Sequence, residues 1–379
     1  MIPFSEPDLS PLESEVLVEL IRSHRFGSGA MVEAFENAWS EHAQRGHALA
    51  VNSGTLALLL CLKGYGIGAG DEVIVSPFSW YQIAHAVSLA GARAVFADID
   101  YWTCTLDPAK AEKKITEKTK ALVVGNTNGH PADWESFRDL TRRHHLRLIE
   151  DSTEAIGSSY KGTPVGRFGD CAILSIGAPG PLTAGGCAMV ATDDADLARA
   201  VRSGRSRRLE DRFSVIATAV LPLEAQVSDT SAAVGLAQLS RRDDILARRQ
   251  EIASWYEREV KSFEGIKDPY IAPYATEVHW FLYVVHLGAR FSRSSRDAIV
   301  EDLLTDEIEG TAYCQPMHLE RFYAEQGSRR GDCPIAEKNA DRAIALPFHG
   351  DLTEDRVAFI VRTLKEASIN VGAGSAIYL

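Results

Sequence analysis

Apolar residues follow two alternating patterns over the first 190 residues of the chain. Short apolar runs predict buried strands at residues 48–51, 72–75, 94–97, 121–124, 146–150, 172–176 and 188–191. Segments such as 56–62, 80–90 and 134–144 lie between these runs, with apolar positions that indicate helices. Strands that alternate with helices predict parallel βαβ units covered on both faces. We therefore predict an α/β domain with a mostly parallel, seven-stranded sheet.

The pattern changes beyond residue 230. Residues 231–260 form one long, charged and amphipathic stretch, which predicts a helix that leaves the first domain. Residues 279–287 and 296–304, followed by a final helix at 353–367, predict a smaller α+β unit. We therefore predict a large α/β domain at residues 1–250 and a small C-terminal α+β domain at residues 251–379.

Composition narrows the class of protein. Of the 379 residues, 45% are hydrophobic and 24% charged, as in globular proteins, and the net charge of −12 argues against a nucleic-acid partner. Neither a signal peptide nor an apolar run of about 18 residues, as a membrane span requires, is visible. The six cysteines show no zinc-binding spacing, so we expect reduced thiols, no metal and a cytoplasmic protein.

Three segments at predicted strand ends are candidates for chemistry, because ligands of parallel sheets bind at the carboxyl ends of the strands. Ser53-Gly54-Thr55 opens a helix and suits a phosphate, although a capped helix start explains it equally. Residues 150–154, Glu-Asp-Ser-Thr-Glu, follow an apolar strand and provide acid–base groups, or else another helix cap. Residues 175–190 form a loop rich in glycine and proline, which is otherwise an ordinary turn.

Together these segments resemble the DegT/DnrJ/StrS family of sugar aminotransferases, which are fold-type I enzymes that use pyridoxal phosphate. The resemblance covers nearly the whole chain, and its clearest motifs are VNSGTLAL, GIGAGDEVIVSPFSW, LIEDSTEAIGSSYKGTPVGRFGDCAILS, VSDTSAAVGLAQLSR and LPFHGDLTED. It implies a fold-type I aminotransferase-like architecture. Because active sites of this family include residues of the neighbouring subunit, it also implies a homodimer.

The resemblance also implies roles for individual residues. Gly54 and Thr55 would contact the cofactor phosphate, and Ser175 would add another phosphate contact. Trp80 would stack on the pyridine ring, and Asp151 would pair with the ring nitrogen.

Three positions depart from the family pattern. The family reads approximately S-F-H-P-x-K-N-L after its strand, whereas this chain reads S-I-G-A-P-G-P-L, with Gly180 in the position of the lysine. Without that amine no internal Schiff base forms. Glu154 replaces a glutamine near the phenolic oxygen of the cofactor, and Glu224 replaces an asparagine that reaches the phosphate. We therefore expect no covalently bound cofactor and regard non-covalent pyridoxal or pyridoxamine phosphate as doubtful.

The remaining pocket candidates are polar residues elsewhere in the matched segments. We predict Asp151, Glu154 and His130 as acid–base residues, although a lone histidine is often structural. The predicted substrate-binding residues are Tyr81, Glu224, Tyr313 and His318.

Three functions remain open at this point. The first is a biosynthetic enzyme of a sugar or natural-product pathway that works without pyridoxal phosphate, by dehydration, isomerisation, cyclisation or condensation of a small intermediate. The second is a dehydratase or aminotransferase-like enzyme that holds pyridoxamine phosphate non-covalently and acts on a nucleotide-linked sugar. The third is a non-catalytic partner subunit.

Overall fold

The computed structural model describes residues 1–24, 29–206, 221–261 and 265–376. Its helices, numbered along the chain, are α1 Pro11–Arg22, α2 Ala30–Ala43, α3 Gly54–Gly64, α4 Gln82–Leu89, α5 Pro108–Glu112, α6 Trp134–His144, α7 Ala195–Arg205, α8 Asp229–Ser240, α9 Arg242–Val260, α10 Arg293–Thr305, α11 Arg321–Ala324, α12 Pro334–Ala340 and α13 Glu354–Ala376. Its strands are β1 His47–Val51, β2 Glu72–Val75, β3 Arg93–Phe96, β4 Thr119–Gly125, β5 Arg147–Asp151, β6 Ser159–Tyr160, β7 Thr163–Pro164, β8 Cys171–Ile176, β9 Cys187–Thr192, β10 Ile266–Lys267, β11 Ala275–Glu277, β12 Tyr283–Leu287, β13 Thr311–Ala312 and β14 Ala343–Leu346.

The large sheet has seven strands in the order β1-β9-β8-β5-β4-β2-β3. Strand β9 pairs antiparallel with β1 and β8, and the other neighbours pair in parallel. The α/β prediction with a mostly parallel sheet is therefore confirmed. In the register Gly125 lies beside Asp151, and Asp151 lies beside Ile173, so the ends of β4 and β5 meet next to β8.

Both faces of this sheet are buried, which explains why its strands appear as continuous apolar runs in the sequence. In β2, Val73 and Val75 pack into one core cluster, while Ile74 packs into another on the opposite face. Helix α3 packs against α4 and α7 and buries the side chains of residues 57–62.

The C-terminal part is built on a second, antiparallel sheet in the order β10-β12-β14-β13. Helices α9, α10 and α13 pack beside it, and the core includes the stacked rings of Tyr256 and Tyr283, whose centroids are 4.4 Å apart. This arrangement is the α+β unit that the sequence indicates.

Two details differ from the sequence-based expectation. The stretch 231–260 forms two helices rather than one, because the chain leaves helical geometry at Arg241, where φ is −100° and ψ is 3°. The stretch 279–287 becomes a strand only from Tyr283 onwards. The proposed boundary at residue 250 stays a prediction: it falls inside α9, whose Ile245 packs with the large domain and whose Ile252 packs with the C-terminal core.

Within the part of the chain that the structure describes, no helix combines the length and apolar character that a membrane crossing requires.

Candidate active site

The start of α3 forms one wall of the site. Ser53 caps this helix, and its Oγ accepts a hydrogen bond from the backbone N–H of Leu56 at 3.3 Å. The first N–H groups of a helix have no intrahelical carbonyl partner, so those of Gly54 and Thr55 can receive an anion. A Cβ on Gly54 would lie 2.5 Å from Gln82 Oε1 and 3.3 Å from the Cβ of Ser175. Glycine at position 54 therefore allows three elements to converge.

Asp151 lies at the end of β5 and is buried. Its Oδ1 accepts the backbone N–H of Thr153 at 3.0 Å, and its Oδ2 lies 3.5 Å from Gln82 Nε2. Burial raises the pKa of this carboxyl, and the hydrogen bonds from Thr153 and Gln82 partly oppose the rise.

Gln82 also lies in this site, although no motif in the sequence points to it. Its Nε2 donates to Thr153 Oγ1 at 3.2 Å, and the same hydroxyl oxygen accepts the backbone N–H of Ser175 at 3.0 Å. One carboxamide thus lies between the start of α3, Asp151 and the end of β8. A polar residue on the first turn of the largely apolar α4 is the signal that would have pointed to it.

Glu154 lies near Asp151 in this site. Its side chain is buried, and its Oε2 accepts a hydrogen bond from the Tyr313 hydroxyl at 3.1 Å and another from the backbone N–H of Asn128. Burial, reinforced by the nearby Asp151 charge, raises the pKa of Glu154 to about 7, although the hydrogen bonds favour the carboxylate. The indole N–H of Trp80 also lies near enough to favour the carboxylate, but it has no partner of normal hydrogen-bond geometry among the described residues.

The loop after β4 is held against residues 279–282. Gly129 has a φ of +92°, and a Cβ there would lie 2.3 Å from the carbonyl oxygen of His279, so only glycine fits. The neighbouring Asn128 accepts the N–H of Leu282 on its Oδ1 at 2.9 Å. This contact fixes the backbone N–H that Asn128 gives to Glu154.

An aromatic wall closes the site beside Gly180. The ring of Phe281 makes an edge-to-face contact with Trp80 at 6.0 Å between centroids. A Cβ on Gly180 would lie 3.1 Å from Phe281 Cε2 and 2.9 Å from the carbonyl oxygen of Gly177. The sequence has no lysine between Lys161 and Lys261, so the loop that follows β8 carries no amine side chain.

The two predicted histidines occupy structural positions. His130 is buried, its Nδ1 lies 2.7 Å from the carbonyl oxygen of Pro131, and its Nε2 accepts the N–H of Ala272 at 3.0 Å. Burial lowers its pKa to about 4. With both ring nitrogens bonded to backbone, His130 cannot exchange protons with a substrate, which argues against its predicted catalytic role. His318 is fully buried and its Nε2 bonds Glu337 at 3.0 Å, so its predicted contact with a substrate stays a prediction.

Two other predicted substrate residues lie at the surface. Tyr81 is 53% exposed and contacts the rings of Trp80 and His85, so it forms part of the rim. Glu224 is exposed and has a φ of +50°, a conformation that asparagine adopts more readily than glutamate. The carbonyl of the adjacent Ala225 accepts the N–H of Asn52 at 3.0 Å, which places Glu224 near the start of α3.

Glu150 has a different role from its neighbour Asp151, because successive strand residues face opposite sides of the sheet. It is fully buried and has no cationic partner among its described contacts. Its donors are the Asn126 amide, the Ser152 hydroxyl and the backbone N–H groups of Gly166, Phe168 and Gly169. These bonds satisfy the carboxylate, so Glu150 anchors the loop that follows β7.

The sheet is mostly parallel, and Asp151, Trp80 and the N-terminus of α3 lie at its carboxyl edge. The chain is therefore an α/β protein with the fold of pyridoxal phosphate-dependent aminotransferases. More narrowly, the chain belongs to the DegT/DnrJ/EryC1/StrS aminotransferase family, whose model matches residues 7–365.

Named relatives span nearly the whole chain. GDP-perosamine synthase of Caulobacter vibrioides is 33% identical over 374 residues, which cover 97% of this chain and 98% of the relative. The spore coat polysaccharide biosynthesis protein SpsC of Bacillus subtilis is 31% identical, with 96% of each chain covered. Spr1654 of Streptococcus pneumoniae, solved in both PMP and PLP forms, is 25% identical with a TM-score of 0.90; in the PMP form 98% of this chain and 100% of that chain are covered. The chain is therefore related to enzymes of sugar biosynthesis.

The site fits the family cofactor only in part. Asp151 can face a ring nitrogen, Trp80 can stack on a ring, and the start of α3 can receive a phosphate. Against this, Gly180 offers no amine for covalent attachment, and the Gln82 carboxamide lies between Asp151 and the start of α3. Covalent binding does not fit these residues.

Proposed function

We propose that this chain is a biosynthetic enzyme that transfers protons on a small intermediate through Glu154, without a covalent bond to pyridoxal phosphate. The observation that carries the proposal is the buried Glu154 carboxyl, with a pKa of about 7, between the Tyr313 hydroxyl and Asp151. An acid–base group is most effective when its pKa lies near the working pH.

The hydrogen bonds of Glu154 support both of its protonation states. When the group is ionised, the Tyr313 hydroxyl and the Asn128 N–H stabilise the charge on Oε2. When it is protonated, the repulsion from Asp151 is relieved. Both hydrogen bonds end on Oε2, so we assign Oε1 as the oxygen that exchanges the proton with the substrate.

The reaction classes that need only such proton transfer are dehydration, isomerisation, cyclisation and condensation. Asp151, also buried with a raised pKa, is the second group within the pocket that can hold or release a proton. Because the relative from Caulobacter vibrioides is named a GDP-perosamine synthase, a GDP-linked sugar is the first substrate class to test.

A second candidate function is supported by the retained cofactor-type residues. The residue types at Asp151, Trp80 and Gly54 support pyridoxamine phosphate held non-covalently in a nucleotide-sugar dehydratase or aminotransferase-like enzyme. Such a cofactor supplies an amine and an electron sink when bound. In that case Glu154 is again the group positioned to move a proton, since position 180 has no side chain.

Solvent deuterium exchange tests the first proposal. Candidate GDP-linked keto sugars are incubated with the purified protein in D₂O, with no cofactor added, and deuterium incorporation is followed by NMR. We expect incorporation that Glu154→Gln abolishes and Glu33→Gln, which changes an exposed carboxylate, leaves intact.

Titration with pyridoxal and pyridoxamine phosphate separates the two candidates. The first predicts weak binding and exchange that does not depend on cofactor. Tight, stoichiometric binding, together with exchange that starts only after pyridoxamine phosphate is added, would establish the second candidate instead.

A further inference from the structure

Three potential metal ligands meet where the N-terminal segment crosses the turn after β14. They are Glu6, His349 and Asp351, and the imidazole nitrogen and carboxylate oxygens that they offer all lie within 4.8 Å of one another. Glu6 and Asp351 are exposed, whereas His349 is 1% exposed. The cluster therefore has a buried inner ligand and two ligands that open to solvent.

The imidazole of His349 is an unusual buried group. Neither of its ring nitrogens has a hydrogen-bond partner of normal geometry within the described residues. The carbonyl of Pro3 lies near the ring. Buried polar atoms without a partner are uncommon because they lose hydration without replacement. A buried imidazole whose ring nitrogens lack such partners is available to bind a metal.

The turn that carries two of the ligands is held rigidly by α9. Arg248 donates to the carbonyls of Gly350 at 3.0 Å and Leu352 at 2.7 Å, on either side of Asp351. Arg249 donates to the carbonyl of Phe348 at 3.1 Å, directly before His349. Both arginines thus hold the backbone of this turn, and Arg249 places a positive charge near His349.

The third ligand lies on a segment that is fixed at both ends. Two residues before Glu6, the carbonyl of Phe4 accepts the N–H of Phe348 at 3.1 Å. Two residues after it, Asp8 pairs with Arg241, and its carbonyl accepts Gln238 Nε2 at 2.7 Å. A site whose ligands are already held in place requires little ordering when the metal binds.

We propose that Glu6, His349 and Asp351 bind a divalent transition-metal ion, with water completing its coordination, and that the ion fastens the N-terminal segment to the C-terminal domain. One imidazole and two carboxylates suit Zn²⁺ or Mn²⁺, whereas Ca²⁺ and Mg²⁺ prefer oxygen ligands alone. The site lies outside the Glu154 pocket, so its role is structural.

Calorimetric titration of untagged, EDTA-treated protein with Zn²⁺ and Mn²⁺ tests the site. We expect one ion per chain and a rise in melting temperature on binding, because the ion binds only the folded state. Asp351→Asn and Glu6→Gln should each weaken metal binding by about tenfold or more. Substitutions of residues that only hydrogen-bond to a metal ligand already lower metal affinity by that much. Asp355→Asn, which changes an exposed carboxylate outside the cluster, should bind like the parent protein.

Cobalt substitution identifies the ligands independently. Thiolate ligands give Co²⁺ an intense charge-transfer band, so a spectrum without one excludes the six free cysteines. His349→Ala should abolish binding, and if this variant fails to fold, the two surface substitutions still decide. Absence of binding by the parent protein, or unchanged affinity in Glu6→Gln and Asp351→Asn, would overturn the proposal.

Discussion

At the scale of single residues, the site depends on a carboxyl group placed where it is not easily ionised. Glu154 loses water on burial and lies near Asp151, and the bonds from Tyr313 and Asn128 compensate only in part. The group therefore stays partly protonated near neutral pH. This property has consequences for stability as well as for chemistry.

Glu154 should make the protein less stable as pH rises. Its pKa is raised from 4.5 to about 7 in the folded state, so folding favours the protonated form. The associated stability is present below pH 4.5 and is lost as pH rises through 7. Glu154→Gln removes this dependence, so its unfolding free energy relative to the parent should increase by about 3 kcal/mol between pH 4.5 and 8. Urea unfolding at several pH values measures this difference, with Glu33→Gln as control. If the unfolding free energies of Glu154→Gln and the parent protein change in parallel with pH, the prediction is wrong.

Gln82 should limit the access of a cofactor phosphate to the N-terminus of α3. Gln82→Ala removes the carboxamide that lies against Gly54 and frees space between α3 and Asp151. We expect the affinity for pyridoxamine phosphate to rise about tenfold, equivalent to about 1.4 kcal/mol. Quenching of tryptophan fluorescence in a titration measures the change. Unchanged or weaker binding of pyridoxamine phosphate would show that Gln82 does not block the N-terminus of α3.

At the scale of elements, the site is made by loops at the carboxyl ends of β4, β5 and β8, closed by residues 279–282. This packing depends on Gly129, which lets the loop after β4 approach the backbone of His279 closely. The backbone N–H of the adjacent Asn128 can then donate to Glu154. Ahead of β12, the carbonyls of Trp280 and Phe281 accept hydrogen bonds from the side chain of Arg249.

Gly129→Ala tests this closure. The added Cβ would lie 2.3 Å from a backbone oxygen that cannot move freely, in addition to the strain of a φ of +92°. We expect a loss of about 3 kcal/mol or more in unfolding free energy, measured by urea denaturation. Gly162→Ala is the matched control, since Gly162 has a φ of +78° but nothing within 4 Å, and only the strain of about 1 kcal/mol should appear. Equal losses in both variants would contradict the packing argument.

At the scale of the whole molecule, the family resemblance implies a dimer, and the surface of α1 is compatible with it. Val18 and Ile21 are three residues apart and therefore lie on one face of this helix, where they expose 45% and 62% of their surface. Apolar residues grouped on a surface often mark an interface.

Sedimentation equilibrium should therefore give twice the chain mass of 41.4 kDa. Ile21→Asp places a charge on the apolar surface of α1 and should weaken association at least about tenfold, because a buried unpaired charge costs more than 1.4 kcal/mol. A parent protein that sediments as a monomer contradicts the homodimer, and a variant that remains fully dimeric excludes α1 from the interface.

The sequence alone determined the α/β class, the order of the strands along the chain and the absence of lysine at position 180, because apolar periodicity and residue identity are local properties. It also indicated Asp151 and Glu154, because acidic residues after a buried strand must lie at the sheet edge. Only the tertiary structure decided that His130 is bonded to backbone, that Gln82 enters the site and that His349 meets Glu6. Those facts depend on contacts between residues far apart in the chain, and no local pattern of side chains specifies which distant groups will satisfy a buried polar atom.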